Sequence, residues 1–336
     1  RSWARHGRGG AAAMREQLRL AQHAIHGRCG REVLSGIREA WQTTRGAGVT
    51  VAVIDTGIDG SHPDLVGAVV GGTDASGVGS PDGQTPVGDD SSHGTLVASV
   101  LAGRGSGPSG TDGVIGVAPE ANLLSVSVGF SGAGTRSSDD QIAEAVRWAV
   151  DNGADVINMS LTRNTLEWPE SWDDAFLYAM TNDVVVVAAA GNRGTGTTVV
   201  GAPATMPGVV TVAGVDQQRR ASEGASSQGI TISVAAPAER LVGAGPGGQY
   251  FEWEGSSGAA PIVSGLVALI RSAYPELDAA NVINRLIATA TRVGTPVPSP
   301  LYGYGLIDAR AAVTASVGQV TANPMGDLRE WIRVNR

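Results

Sequence analysis

Residues 251–274 have the sequence FEWEGSSGAAPIVSGLVALIRSAY, which predicts a serine-bearing turn that leads into a buried helix. Apolar residues recur through 262–270 at the spacing of such a helix. Pro261 falls in the first helical turn, where its missing N–H costs nothing. Ser256 and Ser257 stand among small residues at the helix N-terminus, where a developing negative charge would be stabilised. Alone, the stretch is as consistent with a packing device as with a catalytic site.

Two other stretches place chemically active side chains at the ends of predicted elements. The strand-type run Val51–Ile54 ends at Asp55, and open α/β sheets place their sites at the carboxyl ends of strands. His93 is the first residue of a segment with the apolar spacing of a helix, which ends at Gly103. A lone Asp or His in such a position is more often a cap or a turn residue. Together with the serine turn, they supply the parts of a nucleophile activated by a charge-oriented base.

Four segments in this chain order carry a family resemblance. Asp55-Thr56-Gly57, His93-Gly94-Thr95 and Gly255–Pro261 resemble the three signatures of subtilisin-like serine proteases, the subtilases. Val184–Asn192 resembles the strand that delivers the oxyanion-hole asparagine of that family. The likeness extends from about Ile37 to about Val313. It implies an α/β fold of the subtilisin type, a three-layer sandwich with a mostly parallel central sheet and helices on both faces.

The resemblance also implies a serine endopeptidase that works through an acyl-enzyme intermediate. Ser257 would attack the peptide carbonyl, His93 would take and return the proton, and Asp55 would fix the imidazole tautomer. The carboxamide of Asn192 and the N–H of Ser257 would hold the oxyanion. Ser256 is the rival nucleophile, but the family motif carries a hydroxyl before the reactive serine, and Ser256 matches that position.

Substrate contacts follow from the same resemblance. They are expected at Gly132, Gly134, Ser160, Leu161, Thr162, Ala190, Gly191 and Gly201. The family usually has Gly where Thr162 stands, so a narrower pocket entrance is expected here. Gly201 would leave the pocket floor deep, which favours a large apolar side chain ahead of the cut. Arg193 would sit near the rim, and an acidic side chain at that substrate position is the alternative.

Composition limits the classes of protein to which the chain can belong. Its 336 residues with 42% hydrophobic content can bury one large core. The net charge of −8 argues against nucleic acid as a partner, because nucleic acids select basic surfaces. No segment has the eighteen or so consecutive apolar residues of a membrane span, so none is expected. Cys29 is the only cysteine, which excludes an internal disulfide and is compatible with either side of a membrane.

Three regions are predicted. Residues 37–315 form the subtilisin-like peptidase domain, and residues 316–336 form a polar C-terminal tail. Residues 1–36 form an N-terminal arm or a propeptide remnant, and they lack the apolar core of a signal peptide. Because most subtilases are made with an inhibitory propeptide, such a segment is a possible partner, alongside protein or peptide substrates.

No cofactor is expected to be required. Asp82, Asp89 and Asp90 lie on a Gly-, Ser- and Pro-rich loop predicted at 71–92 and could bind calcium as a structural ion, although loop carboxylates are usually just solvated. Because most proteins of the family are exported, a secreted or cell-envelope location is expected, with a cytoplasmic location as the alternative.

Two functional alternatives stay open. The first is an inactive module of the same fold that grips peptides without cutting them. Against it, all four catalytic positions carry the chemically competent residue. The second is a dedicated maturation protease with one partner substrate, as opposed to a broad degradative enzyme.

Overall fold

The computed structural model describes residues 27–107, 110, 112–130 and 134–336, with side chains from residue 33 onward. The strands are β1 Thr50–Asp55, β2 Val69–Asp74, β3 Arg104–Ser106, β4 Asp112–Ile115, β5 Asn122–Ser127, β6 Val156–Met159, β7 Val185–Ala189, β8 Val210–Val215, β9 Ile232–Pro237, β10 Leu241–Gly245 and β11 Gln249–Trp253. The helices are α1 Gly27–Ala40, α2 His93–Ala102, α3 Ser138–Asp151, α4 Glu170–Thr181, α5 Ser256–Ala273, α6 Ala279–Ala288, α7 Ala309–Thr314 and α8 Leu328–Asn335.

Seven parallel strands form the central sheet in the order β2-β5-β1-β6-β7-β8-β9. Helix α2 packs on α5, helix α3 packs on α4, and each pair contacts the sheet. The predicted three-layer α/β sandwich is therefore confirmed. Strand β7 is buried at every position, as a parallel strand covered on both faces requires.

The edge strand β2 lies partly inside the region predicted as a loop. Gly71 and Gly72 give this segment low strand propensity, yet it pairs in parallel with β5 through a register shift between Val69 and Gly71. A Cβ on Gly72 would lie 2.1 Å from the carbonyl oxygen of Asp82, so this strand must pass very close to the loop that follows it. Tertiary packing thus outweighs local propensity here.

The serine-bearing helix α5 is the only described helix with the length and apolar composition of a membrane span. However, 78% of its apolar window is buried inside the protein. The helix packs on strands β6 to β9, so its apolar character serves the core.

Both predicted region boundaries fall within packed structure. The boundary between residues 36 and 37 lies inside α1, where Val33 and Ile37 both belong to the core. The C-terminal tail also folds back on the domain, since Asn323 Nδ2 donates to the carbonyl oxygen of Gly208 over 3.0 Å. Residues 1–26 of the predicted N-terminal arm lie outside the described residues.

Helix α8 ends the tail by docking on α4, a contact that the sequence did not predict. The rings of Trp331 and Trp168 lie 4.4 Å apart, centroid to centroid. Arg336 Nε donates to Asp173 Oδ2 over 2.7 Å, and its guanidinium lies over the Trp331 ring. Trp168 Nε1 donates to the other carboxylate oxygen of Asp173 over 2.6 Å. The tail is therefore an integral part of the domain surface.

Trp331→Ala is expected to lower the free energy of unfolding by about 2 kcal/mol, less than for a fully buried tryptophan because this ring is only partly buried. Urea unfolding followed by circular dichroism measures this change in free energy. The matched control is Arg329→Ala on the exposed side of α8, with an expected change within about 0.5 kcal/mol. Equal effects of the two substitutions would contradict the docking role.

Candidate active site

Asp55 and His93 meet where β1 ends and α2 begins. Their carboxylate and imidazole are joined by His93 Nδ1 at 2.8 Å from Asp55 Oδ1 and 3.0 Å from Asp55 Oδ2. The two elements approach closely because Gly94 has no side chain: a Cβ there would lie 2.3 Å from the carbonyl oxygen of Gly57. Gly94 N–H also donates to Thr56 Oγ1 over 3.0 Å. The two sequence motifs thus bind each other directly.

Burial and charge together set the state of this pair. The Asp55 side chain is 1% exposed and the His93 side chain 19%. Burial lowers the pKa of His93, but the charge and hydrogen bond of Asp55, with a contribution from Asp90, outweigh it, so the pKa lies above its ordinary value near 6.5. The hydrogen bond from Thr56 N–H to Asp55 Oδ1, 2.7 Å long, fixes the carboxylate.

Ser257 lies in the first turn of α5 and shares a cleft of about 670 Å³ with His93. Its hydroxyl donates to the carbonyl oxygen of Ser160 over 3.2 Å, and no hydrogen bond joins these two described side chains, Ser257 and His93. Ser160 Oγ in turn donates to the carbonyl oxygen of Ser257 over 2.8 Å. The turn is therefore anchored to the end of β6, with its hydroxyl facing the cleft.

The carboxamide of Asn192 lines the same cleft and is held by the serine next to Ser257. Its Oδ1 accepts from Ser256 N–H over 2.7 Å and lies 3.0 Å from Ser256 Oγ. With the oxygen engaged by these donors, the NH₂ group is left to face the cleft. Ser256 is fully buried and also binds the backbone of Gly191, so it lies behind the cleft surface.

The residues expected to contact substrate divide into two groups. Ser160, Leu161 and Thr162 line the cleft beside Ser257. Ala190 and Gly191 are not part of its lining. They are buried behind Asn192, where Ala190 N–H donates to the carbonyl oxygen of Val212.

Gly201, expected at the pocket floor, is absent from the described lining of the cleft. A Cβ at this position would lie 1.8 Å from the carbonyl oxygen of Arg163 and 2.8 Å from Thr162 Oγ1. Arg163 N–H donates to the carbonyl oxygen of Ala202 over 2.7 Å, which draws the two segments together. The glycine is therefore needed for close backbone packing, and the space beside it is already filled.

Arg193 also lies elsewhere than expected. Its Nε donates to the carbonyl oxygen of Ser226 over 2.8 Å, and its second nitrogen donates to that of Ser222 over 2.9 Å. The guanidinium is thus engaged by backbone and is absent from the described lining of the cleft. The expected rim position that would attract an acidic substrate residue is not formed.

The remaining predicted contacts lie on the loop before α3. Gly132 lies outside the described residues. Gly134 has φ of +130° and packs against Gln141, whose Nε2 would be 2.6 Å from a Cβ there. Phe130 from the same loop does line the cleft.

Sequence reasoning missed several other residues of the cleft. They are Thr56, Val87, Gly88, Asp89, Asp90, Ser92, Leu96, Phe130, Trp253 and Glu254. Most of them lie within five residues of the proposed triad members, so sequence proximity was the available signal. Trp253 packs its ring edge-on to His93, with centroids 5.9 Å apart.

Comparison with known proteins identifies the family. A family model described as "Subtilase family" matches residues 46–305. The chain belongs to the subtilase family. Because it belongs to this family and its relatives are subtilisins, the protein is a subtilisin-like serine endopeptidase. Subtilisin DY from Bacillus licheniformis is 41% identical over 277 residues, which cover 81% of this chain and 93% of that protein.

Solved structures resemble this subtilase over most of its length. The crystal structure of MycP1 from the ESX-1 type VII secretion system has a TM-score of 0.76 at 30% identity, with 90% of each chain covered. The structure of the prenylagaramide maturation protease PagA has a TM-score of 0.68 at 29% identity, covering 84% of this chain and 99% of that one.

One departure of this subtilase from the family pattern has a packing explanation. Gly258 follows Ser257 where the family usually has a bulkier residue. A Cβ there would lie 2.2 Å from Leu241 Cδ1 and 3.3 Å from the Trp253 ring. Leu241 and Trp253 therefore occupy the space that a larger side chain would fill.

Subtilases need no cofactor for catalysis, and the loop carboxylates of this one do not converge. Asp82 accepts hydrogen bonds from Ser80 and Gln84, whereas Asp89 and Asp90 line the cleft. Among the described residues, no three His, Cys, Asp or Glu side chains are grouped to hold a metal ion. The three carboxylates named for calcium therefore do not form one cluster, and calcium as a structural ion stays a prediction.

Proposed function

We propose that this subtilase hydrolyses peptide bonds with Ser257 as nucleophile, His93 as general base and acid, and Asp55 as the carboxylate that orients the imidazole. The observation that carries the proposal is the hydrogen-bonded Asp55–His93 pair on the wall of the cleft that also contains Ser257. A serine hydroxyl is a weak nucleophile until a neighbouring base accepts its proton.

Catalysis requires the hydroxyl of Ser257 to turn from the carbonyl oxygen of Ser160 towards His93 Nε2. Rotation about χ1 between staggered positions provides this movement. Catalytic hydrogen bonds are often long or misaligned before substrate binds and tighten in the complex. The proton of the hydroxyl then passes to Nε2 as the oxygen attacks the carbonyl carbon. His93 returns the proton to the leaving amine, and water later releases the acyl group by the same route.

The negative charge of the tetrahedral intermediate is proposed to rest between Asn192 Nδ2 and the N–H of Ser257. Asn192 Oδ1 is engaged by Ser256, which leaves Nδ2 as the donor towards the cleft. The N-terminus of α5 adds its positive dipole end and its unpaired N–H groups at the same place. Donors fixed before the reaction need no reorganisation when the charge develops.

For the residue ahead of the cut, we propose an apolar side chain. Leu161 and Phe130 present apolar surface in the cleft. Gly201 packs on Arg163 away from this lining, so these two side chains, and not the glycine, carry the apolar preference.

Asn192→Ala is expected to lower kcat by about 10²- to 10³-fold with little change in KM, because the donor acts mainly on the charge of the transition state. This magnitude is the one known for the equivalent donor in subtilisin. Steady-state hydrolysis of a peptide p-nitroanilide measures it. As control, Asn284→Ala, on a surface side chain that binds the carbonyl oxygen of Gly318 outside the cleft, should leave kcat unchanged. A fall in kcat/KM caused by KM alone would contradict the proposed role.

The proposal is tested by treating the protein with a fluorophosphonate probe and by assaying cleavage of an unfolded protein. Stoichiometric labelling at Ser257 together with cleavage supports it. Peptide binding without labelling or cleavage would instead support the inactive binding module.

A dedicated maturation protease is the second candidate. It is favoured by the structural similarity to a maturation protease and to a component of a secretion system, at about 30% identity. The breadth of cleavage across a peptide library separates it from a degradative enzyme. The same similarity supports an extracellular or cell-envelope location and protein substrates, and the inhibitory propeptide stays a proposed partner.

A further inference from the structure

The catalytic cleft is lined by charges of one sign. Asp89, Asp90 and Glu254 all contribute to its surface, and no Arg or Lys is among its described lining residues. All three are exposed residues, and none forms an ion pair with a described side chain. Their charge is therefore not neutralised within the described part of the chain.

These carboxylates lie close in sequence to elements that contact His93. Asp89 and Asp90 come directly before α2, which begins at His93, and the carbonyl oxygen of Asp90 accepts from His93 N–H over 3.0 Å. Glu254 follows Trp253, whose ring meets that of His93 edge-on. Ser160, Leu161 and Thr162, which also line the cleft, are uncharged.

The negative charge of Asp90 acts on the catalytic histidine. Asp90 is one of the groups that raise the pKa of His93, after burial, which lowers it, and Asp55, which raises it. The nearby basic side chain that could have offset the carboxylates is Arg193, and backbone carbonyls of Ser222 and Ser226 hold it away from the cleft. A substrate side chain entering on the His93 side therefore meets a negative potential.

We infer that the enzyme selects polypeptides that carry a basic side chain beside the apolar residue, on the His93 side of the cleft. The inference rests on the proposed function, since only an active protease has a cleavage preference. An exposed carboxylate pairing with a substrate arginine is worth roughly 2- to 5-fold in kcat/KM. A substrate side chain within reach of more than one of these carboxylates gains more, up to about 10-fold, because their attractions add.

The test uses quenched fluorescent peptides that share one apolar residue before the cut. Arginine, glutamine or glutamate is placed in turn at each flanking position. We expect kcat/KM for the arginine peptide to exceed that for the glutamine peptide by about 10-fold at one adjacent position, with glutamate below both. The ratio should shrink between about 0.01 M and about 1 M salt, over which the Debye length falls from about 30 Å to about 3 Å.

Neutral substitutions test whether the three cleft carboxylates cause the preference for arginine. Combining Asp89→Asn, Asp90→Asn and Glu254→Gln should bring the arginine-to-glutamine ratio close to one. The matched control is Glu252→Gln, on an exposed carboxylate two residues away that pairs with Arg240 and lies outside the cleft lining; it should leave the ratio unchanged.

The outcomes separate the inference from the proposed function. Equal cleavage of arginine and glutamine peptides by an enzyme that the fluorophosphonate labels would overturn the inference and leave the proposed function standing. Persistence of the preference in the triple variant would also overturn it. Absence of both labelling and cleavage would overturn the proposed function, and the inference with it.

Discussion

Replacing Ser257 with alanine is expected to lower kcat by roughly 10⁶-fold and to abolish fluorophosphonate labelling, because alanine has no oxygen with which to attack. The size of this loss is the one known for the nucleophile of subtilisin. His93 and Asn192 line the cleft independently of this hydroxyl, so substrate binding should persist. Hydrolysis of a peptide p-nitroanilide and intact-mass spectrometry after probe treatment measure the two effects.

Ser256→Ala is the matched control, because it removes the neighbouring hydroxyl. That hydroxyl is buried and lies 3.0 Å from both Asn192 Oδ1 and the carbonyl oxygen of Gly191. Without this hydroxyl, the side-chain oxygen Oδ1 of Asn192 still accepts the hydrogen bond from Ser256 N–H. An expected cost of about 1 kcal/mol corresponds to roughly 5-fold in kcat, with labelling retained. Labelling that survives in Ser257→Ala and disappears in Ser256→Ala would show that the two serines have been assigned in the wrong order.

Asp55→Asn is expected to lower kcat by about 10⁴-fold through the imidazole tautomer. Thr56 N–H donates to Asp55 Oδ1 over 2.7 Å, and an asparagine would keep its carbonyl oxygen on that donor. The NH₂ group would then face His93 Nδ1 and make that nitrogen an acceptor. The ring proton would move to Nε2, which could no longer take the proton of Ser257.

The same substitution is expected to shift the acidic limb of the pH–rate profile. Burial lowers the pKa of His93, and the charge and hydrogen bond of Asp55 raise it above its ordinary value. Because the base must be neutral, wild-type activity is lost as the pH falls through that raised pKa. Without the carboxylate, the lowering of the His93 pKa by burial is no longer outweighed, so the midpoint moves to lower pH. Values of kcat/KM across the acidic range measure the shift.

Asp82→Asn serves as the control for both effects, since this exposed carboxylate binds Ser80 and Gln84 outside the cleft. It should change neither kcat nor the midpoint. A midpoint that stays in place or rises in Asp55→Asn would contradict the proposed electrostatic role of Asp55.

The central sheet could be predicted because most of its buried strands have a clear local pattern. The segment that forms β7 is an unbroken apolar run, and the segment that forms β1 ends in a polar residue at the sheet's carboxyl edge. By contrast, β2 contains two glycines, and strand β10 has little side chain to bury. Their pairing with β5 and β11 stabilises them, and a local pattern does not contain that information.

Side-chain direction was the part of the site that could not be predicted. Arg193 follows Asn192 directly and was expected at the cleft rim, yet two carbonyl oxygens from residues 222 and 226 turn it away. The depth of the pocket was inferred from Gly201 alone. Gly201 instead packs against the backbone of Arg163, which arrives from a different loop. In both cases the deciding partner lies about thirty to forty residues away in the chain.

By itself, the sequence determined the family, the positions of the sheet's buried strands along the chain and the three residues proposed for catalysis. It could do so because these residues stand at the ends of locally encoded strands and helices. Tertiary structure alone decided that Ser256 holds the carboxamide of Asn192, that Gly201 packs on the backbone of Arg163 and that three carboxylates line the same cleft. Such contacts join segments far apart in the chain, so their geometry exists only once the sheet has brought those segments together.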